Sequence, residues 1–263
     1  MIVYQETKAG FLRDAFTRDI EEVILAAFKQ RTGHAVARSE VRSWKESLIA
    51  VAKVVNDAAV PDDAGVGIEY GIPQTSKRID FILSGKGDDQ RDQLVIVELK
   101  QWESAKKTDR DGIVRTRFAG GEADTSHPSY QAWSYASLLR DFNEAVYEGD
   151  LGLNPCAYLH NYVDDGTLTD PFYGEYLAKA PVFLKGEAER ARLREFIARH
   201  VRKGDQGKLL YRVENGRIRP SKGLVDALCG MLAGQAEFVL VDDQKVVYET
   251  ALAAAREAAT TGK

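Results

Sequence analysis

Cysteine is nearly missing from this sequence. Cys156 and Cys229 are the only two, far apart and outside any Cys-x-x-Cys, which excludes a disulfide framework and a thiolate zinc cluster and fits a reducing, cytoplasmic setting. No apolar run reaches the roughly 18 residues that a membrane span needs, and the first ten residues lack the charged-then-apolar layout of a secretory signal. A membrane partner is therefore not expected. An excess of positive charge is missing too: 36 Lys and Arg against 40 Asp and Glu give a net charge of −4. That balance excludes a protein that coats nucleic acid by bulk charge and confines any such contact to a local patch. No G-x-S-x-G elbow supports a serine nucleophile, the four histidines (His34, His127, His160, His200) are scattered, and no internal repeat or low-complexity tract is visible.

The 263 residues, 44% of them hydrophobic, are enough to bury a sizeable core. Helical spacing of apolar residues in Asp14 to Phe28 and Ser39 to Val55 makes the first 60 residues read as helix. Three short β-branched runs follow, Ile68 to Pro73, Arg78 to Ser84 and Leu94 to Leu99, with turn residues between them, and predict an antiparallel meander. Trp102 to His127 reads as a long charged loop with a short extended stretch at Ile113 to Phe118, and loops of that length are usually functional or disordered. Ser129 to Asn143 reads as a helix with Pro128 near its first turn, and Pro155 to Val163 as a strand. Glu187 to Val201, Lys222 to Leu232 and Asp242 to Ala259 read as helices. The fold class is α/β, in the order α-α-β-β-β-α-β and then mainly helix.

Chemistry concentrates at the ends of two of these strands. In Val95-Ile96-Val97-Glu98-Leu99-Lys100, side chains two apart share a face, so Glu98 and Lys100 project together from an otherwise apolar strand, and Asp80 of Arg78-Ile79-Asp80-Phe81 can meet them from its neighbour. Two converging carboxylates suit a hard divalent cation such as Mg2+ or Mn2+, which prefers oxygen ligands and keeps several waters. A lysine beside them can orient or help deprotonate a water for attack on phosphorus. Glu-x-Lys alone is a weak signal, since Glu6-Thr7-Lys8 also carries it and Asp243-Gln244-Lys245 is a near match. Context separates them: Glu6 shows no preceding apolar strand, and Asp243 stands where a helix starts. Ionisable groups at the ends of buried strands are costly unless paired or bound to metal.

Asp80, the gap after it and Glu98-Leu99-Lys100 resemble the PD-(D/E)XK nuclease superfamily, whose restriction-endonuclease-like core runs α-β-β-β-α-β with a mixed central sheet flanked by helices. The family's Pro-Asp is Ile79-Asp80 here, a departure that keeps the ligand. Gln131-Ala132-Trp133-Ser134-Tyr135 is similar to the Gln-x-x-x-Tyr motif of the RecB-like branch, and residues four apart share a helix face, so both can point at one site. The resemblance implies Asp80 and Glu98 as metal ligands with the Leu99 carbonyl as a further one. It also implies that Lys100 orients the attacking water while Gln131 and Tyr135 position substrate or the metal shell. An additional acid is often supplied by the first core helix or strand, and Glu40, Glu46 and Glu69 all qualify.

The run from Ile68-Glu69-Tyr70 to Phe81, with His127-Pro128-Ser129-Tyr130-Gln131, resembles more widely the N-terminal nuclease region of bacterial proteins that carry a Schlafen-like superfamily 1 helicase. That likeness covers about residues 1 to 250 and implies a nuclease domain over 1–235. Residues 236–263 would then be a helical segment leading into a helicase or ATPase domain that this sequence does not contain: no complete G-x-x-x-x-G-K-[ST] occurs, and the sequence stops at Thr260-Thr261-Gly262-Lys263. Lys106, Lys107, Arg110, Arg115 and Arg117 lie between the metal strand and the Gln131 helix, placed to contact phosphates without reading bases, and Trp102 is placed to stack on a splayed base. The expected function is cleavage of phosphodiester bonds, in DNA rather than RNA. The alternative is a nuclease-like module that grips nucleic acid for an attached motor without cutting it.

Overall fold

The computed structural model describes residues 1–226 and 239–261. The chain opens with strand β1 (Ile2–Thr7), then helices α1 (Lys8–Thr17), α2 (Ile20–Thr32) and α3 (Arg38–Val55). Strands β2 (Gly65–Gly71), β3 (Arg78–Lys86) and β4 (Asp92–Lys100) follow. Next come β5 (Ala105–Lys107), β6 (Ile113–Phe118) and β7 (Gly121–Ser126), then α4 (Pro128–Phe142), the short α5 (Glu144–Tyr147) and β8 (Gly152–Leu159). The remainder is α6 (Gly174–Lys179), β9 (Val182–Phe183), α7 (Glu187–His200), α8 (Lys208–Glu214) and α9 (Asp243–Thr261).

Six strands form one mixed sheet in the order β1-β2-β3-β4-β8-β9, and β5-β6-β7 form a separate antiparallel sheet. β1 to β4 pair antiparallel in sequence, whereas β8 lies parallel to β4 and β9 parallel to β8. A parallel neighbour needs a crossover, and α4 supplies it for β8. The sheet is covered on both faces. Phe81, Leu83, Val95 and Val97 pack with Phe11, Leu48 and Val51 of the N-terminal helices, while Ile82, Leu94 and Ile96 pack with Tyr135 and Leu139 of α4. Burial on both sides is why Leu94 to Val97 reads as an unbroken apolar run rather than an alternation. The protein is therefore a mixed α/β fold, and α3-β2-β3-β4-α4-β8 follows the order read from the sequence, meander included.

Three expectations need correction. The first 60 residues are not all helical, because Ile2, Val3 and Tyr4 are buried in an edge strand paired with β2. Six residues are too few for periodicity to separate strand from helix. β1 also places an apolar strand ahead of Glu6-Thr7-Lys8, but that pair does not form a site: Glu6 is exposed, and Lys8 turns inward to donate to the carbonyls of Val60 (2.6 Å) and Asp57 (3.0 Å) and to pair with Asp62 (2.9 Å). Finally, Trp102 to His127 is not one long loop: the extended stretch expected at Ile113 to Phe118 is β6, and β5 and β7 flank it. β6 buries one face only, with Val114 and Thr116 inside and Arg115 and Arg117 outside, the alternation of a half-buried strand.

The helix expected over Lys222 to Leu232 is present at residues 222–226; its remainder, Cys229 and the 235/236 boundary lie outside the described residues. Among the described residues, no helix is long and apolar enough to cross a membrane.

Candidate active site

The strand alternation that builds the core fails at one place. Ile68 and Phe81 pair across β2 and β3 and belong to the α3-side core, yet Tyr70 and Ile79, the next pair in register, belong to the α4-side core. Both strands change face between these pairs, at Glu69 and Asp80. Glu69 makes the change with a φ of 54°, in the left-handed region that non-glycine residues rarely occupy and that costs of order 1–3 kcal/mol. A pocket of about 250 Å³ opens there between α3 and α4, and its lining includes Trp44, Glu69, Arg78, Asp80, Glu98 and Gln131.

Asp80 and Glu98 line this pocket, and Lys100 pairs with Glu98 beside it. Asp80 Oδ2 accepts a hydrogen bond from the Leu99 backbone N–H (2.7 Å), which ties the end of β3 to β4 beyond the last ladder pair, Phe81 with Val97. Lys100 Nζ pairs with Glu98 Oε1 at 2.8 Å, and Glu98 Oε2, fully buried, has no hydrogen-bond partner. Burial and the nearby Asp80 charge push the Glu98 carboxyl well above the usual carboxylate range, against the pull of Lys100. Burial likewise pushes Asp80 up, with Lys100 opposing and Glu69 adding. Burial disfavours the Lys100 ammonium, but Glu98 and Asp80 outweigh it and hold the amine above its ordinary value. Two acids thus share one cation, and with Glu98 raised to about 8 and within hydrogen-bonding reach of Asp80, the pair holds a proton near neutral pH when no cation is bound.

Glu40 and Glu69 both border the pocket, joined through Arg78. Its guanidinium bonds Glu69 Oε2 (2.7 Å) and Glu40 Oε1 (2.5 Å), while the Trp44 indole donates to Glu69 Oε1 (2.7 Å). Both Glu69 oxygens are therefore engaged, and burial pushes its carboxyl up despite Arg78. Glu46 faces a different groove, on the far side of α3, with Lys53 and His160. Gln101, just past Lys100, pins β4 to α3 by donating to the Ser43 carbonyl (2.8 Å) and Ser47 Oγ (3.2 Å).

On α4, Pro128 occupies the first turn and His127 caps it, Nδ1 accepting from the Ser129 N–H (3.2 Å). One turn on, Gln131 lines the pocket and donates through Nε2 to the Tyr135 hydroxyl (2.9 Å), as two residues four apart on one face can. Sequence reasoning missed Asp242. It is buried at the head of α9 and accepts from Ser126 Oγ (2.7 Å), Lys77 Nζ (2.7 Å) and the Tyr135 hydroxyl (3.4 Å). The only local signal was its place beside Asp243 at the end of an apolar run.

The residues expected to contact nucleic acid sit on and around the small sheet, and none of them lines the pocket. Four of the five cations are engaged by acids. Lys106 pairs with Glu122 (2.7 Å), Lys107 with Asp170 (2.8 Å), and Arg110 and Arg115 both with Asp124. Arg117 is exposed and makes no salt bridge among the described residues. Trp102 is half-buried, edge-on to Phe118 with ring centres 6.4 Å apart, and Lys100 Nζ lies 5.9 Å from its ring centre.

Among the described residues, no three His, Cys, Asp or Glu side chains form a group able to hold a metal. The donor set instead suits an ion held by one or two carboxylates with water and phosphate completing the shell, the habit of Mg2+. The partnerless Glu98 oxygen beside Asp80 is where such an ion would supply what the fold lacks. Compared with known proteins, the chain matches no family model, no curated protein and no solved structure.

Proposed function

We propose that this chain is a Mg2+- or Mn2+-dependent nuclease domain of the PD-(D/E)XK type, with the restriction-endonuclease-like core formed by α3-β2-β3-β4-α4-β8, and that it hydrolyses phosphodiester bonds of DNA. One observation carries the reading: Asp80 and buried Glu98, with its unpartnered oxygen, line one pocket with Gln131 at the ends of two adjacent strands, and Lys100 pairs with Glu98 beside it.

Asp80, Glu98 and the Leu99 carbonyl would hold the cation. When bound, the cation offsets charge developing on the phosphate and makes an attacking water more acidic. Lys100 stays an ammonium, fixed by Glu98, so it donates to and orients the attacking water rather than abstracting a proton. Gln131, anchored through Tyr135, positions the shell around the reacting phosphate. Glu69 and Glu40 act through Arg78, which they hold at the pocket wall as a phosphate contact. The likeness to Schlafen-like helicase proteins makes the segment around α9 the place where a motor domain would attach, and free, buried Cys156 accords with a reducing cytoplasm.

Cleavage of labelled DNA tests this. The intact protein is expected to cut in Mn2+ and to stop in EDTA, and Asp80→Ala or Lys100→Ala to lose at least about 100-fold of the rate while unfolding within a few degrees of wild type. Full activity in either folded variant refutes the assignment. Tight binding in EDTA with no products in Mn2+ would establish the non-cleaving module instead.

A further inference from the structure

Asp242 lies 107 residues from Tyr135 in sequence, yet it closes a hydrogen-bonded relay that ends in the pocket. The relay has a direction. Burial works against ionisation of Asp242, but the bonds from Lys77 and Ser126 hold its carboxyl below the usual range, so it is a carboxylate that can only accept. The Tyr135 hydroxyl therefore donates its proton to Asp242 and receives one from Gln131 Nε2. With one of its two N–H groups held by Tyr135, Gln131 lines the pocket with its carbonyl oxygen left as an acceptor suited to a cation or to a water in its shell.

The same carboxylate also fastens the parts that carry the site. Ser126 ends β7, Lys77 leads into the Asp80 strand, Tyr135 is on α4 and Asp242 itself precedes α9. A φ of 41° at Asp242 keeps its backbone in the left-handed region, a strained setting that the three bonds sustain. Asp243, its neighbour, shares Lys77 (2.6 Å) but is exposed.

We infer that Asp242 is a positioning residue for the reaction: as an obligate acceptor it sets the proton order of the Asp242–Tyr135–Gln131 relay and so aims the Gln131 amide oxygen at the cation and phosphate. This rests on the nuclease reading for its catalytic consequence, but the relay itself is independent of that reading. An amide at this position fills the same space yet can donate, which leaves the order unfixed and lets Gln131 flip.

The test uses the full chain with Asp242→Asn and Asp243→Asn, each alone and Asp242→Asn also in a Tyr135→Phe background. Asp242→Asn is expected to lower kcat about tenfold, less than the ~100-fold that a 1 Å misplacement can cost, with KM within about twofold and Asp243→Asn unchanged. In the Tyr135→Phe background the further loss should be under about twofold, the non-additivity of residues acting through one another. Protein labelled with 3-fluorotyrosine supplies a readout without activity: the Tyr135 fluorine signal, identified by its disappearance in Tyr135→Phe, should move in Asp242→Asn and stay in Asp243→Asn. An unmoved signal, wild-type kcat in Asp242→Asn, or an equal loss in both backgrounds overturns the inference. A moved signal in a protein that cuts no DNA supports the relay and refutes the nuclease instead.

Discussion

Replacing Glu98 by Gln should make the metal-free protein more stable and the metal-loaded protein relatively less so. In the folded chain the Glu98 carboxylate is 2% exposed, satisfied on one oxygen by Lys100 at 2.8 Å and on the other by nothing. A glutamine keeps an acceptor for Lys100 and presents N–H groups toward Asp80, so it removes the cost of either protonating Glu98 beside Asp80 or leaving its second oxygen unsatisfied. A buried unsatisfied polar atom costs about 1–3 kcal/mol, and at roughly 2–4 °C per kcal/mol for a chain of this size the midpoint in EDTA should rise by about 2–12 °C. With Mn2+ at about 100 times its Kd, wild type alone gains about 2.7 kcal/mol, and the order of the two proteins reverses or closes. Scanning calorimetry of both proteins in EDTA and in Mn2+ measures all four midpoints. If Glu98→Gln is less stable than wild type in EDTA, or if Mn2+ shifts both equally, the carboxylate is not the strained ligand described here.

Other consequences are separable from that one. Burial lowers His127 from 6.5 to about 4, with its Nδ1 accepting the Ser129 N–H and its Nε2 facing the Leu168 carbonyl (3.1 Å), so the folded state holds the neutral ring. The unfolded chain binds a proton that the folded one refuses, so this contribution is complete above the unfolded value and is lost as pH falls toward the folded one, about 3 kcal/mol in all. Urea unfolding across that window should show the slope in wild type and a flatter line in His127→Asn; parallel lines would exclude it. Trp44→Phe leaves one oxygen of buried Glu69 without its indole donor and should cost about 1–3 kcal/mol in the same assay, and no loss would show that Arg78 alone satisfies Glu69. For nucleic-acid affinity, Lys106→Ala with Lys107→Ala should change Kd less than about twofold because both side chains already pair with acids, whereas Arg117→Glu should weaken binding and lower its salt dependence; the reverse ranking in fluorescence anisotropy would reinstate the two lysines as phosphate contacts.

How much of this was legible in the sequence follows from range. Asp80, Glu98 and Lys100 were readable because each ends a run buried on both faces, and a charged group there breaks the local pattern. Gln131 and Tyr135 were readable because helical spacing alone puts them together. Of the β5 to β7 sheet only Ile113 to Phe118 was, since β5 (Ala105–Lys107) is three residues long and Ala123 is the sole hydrophobic residue of β7 (Gly121–Ser126). The pairing of the sheet's cations was hidden for another reason. Asp124 meets Arg115 only through strand register, and Asp170 meets Lys107 from 63 residues away, so composition showed a basic stretch where the fold makes a largely neutralised one.

The face change at Glu69 and Asp80 was the most consequential thing no local pattern shows. Had β2 and β3 kept their alternation through Tyr70 and Ile79, the Glu69 and Asp80 positions would continue the ladder and α3 and α4 would each rest on an unbroken sheet face. The left-handed Glu69 ends the alternation in both strands at the same level and opens the space that Asp80, Glu98 and Gln131 line. The strain has to be held by something, and the engaged partners are Trp44 and Arg78, neither of which carries a charge the cation could use. Glu69 and Arg78 thus maintain the shape of the pocket, while Asp80 and Glu98, crowded and incompletely satisfied, are the groups to which the proposed nuclease reading assigns the chemistry. Such a division, in which satisfied residues sustain strain around unsatisfied ones, is where stability is expected to be sacrificed for function.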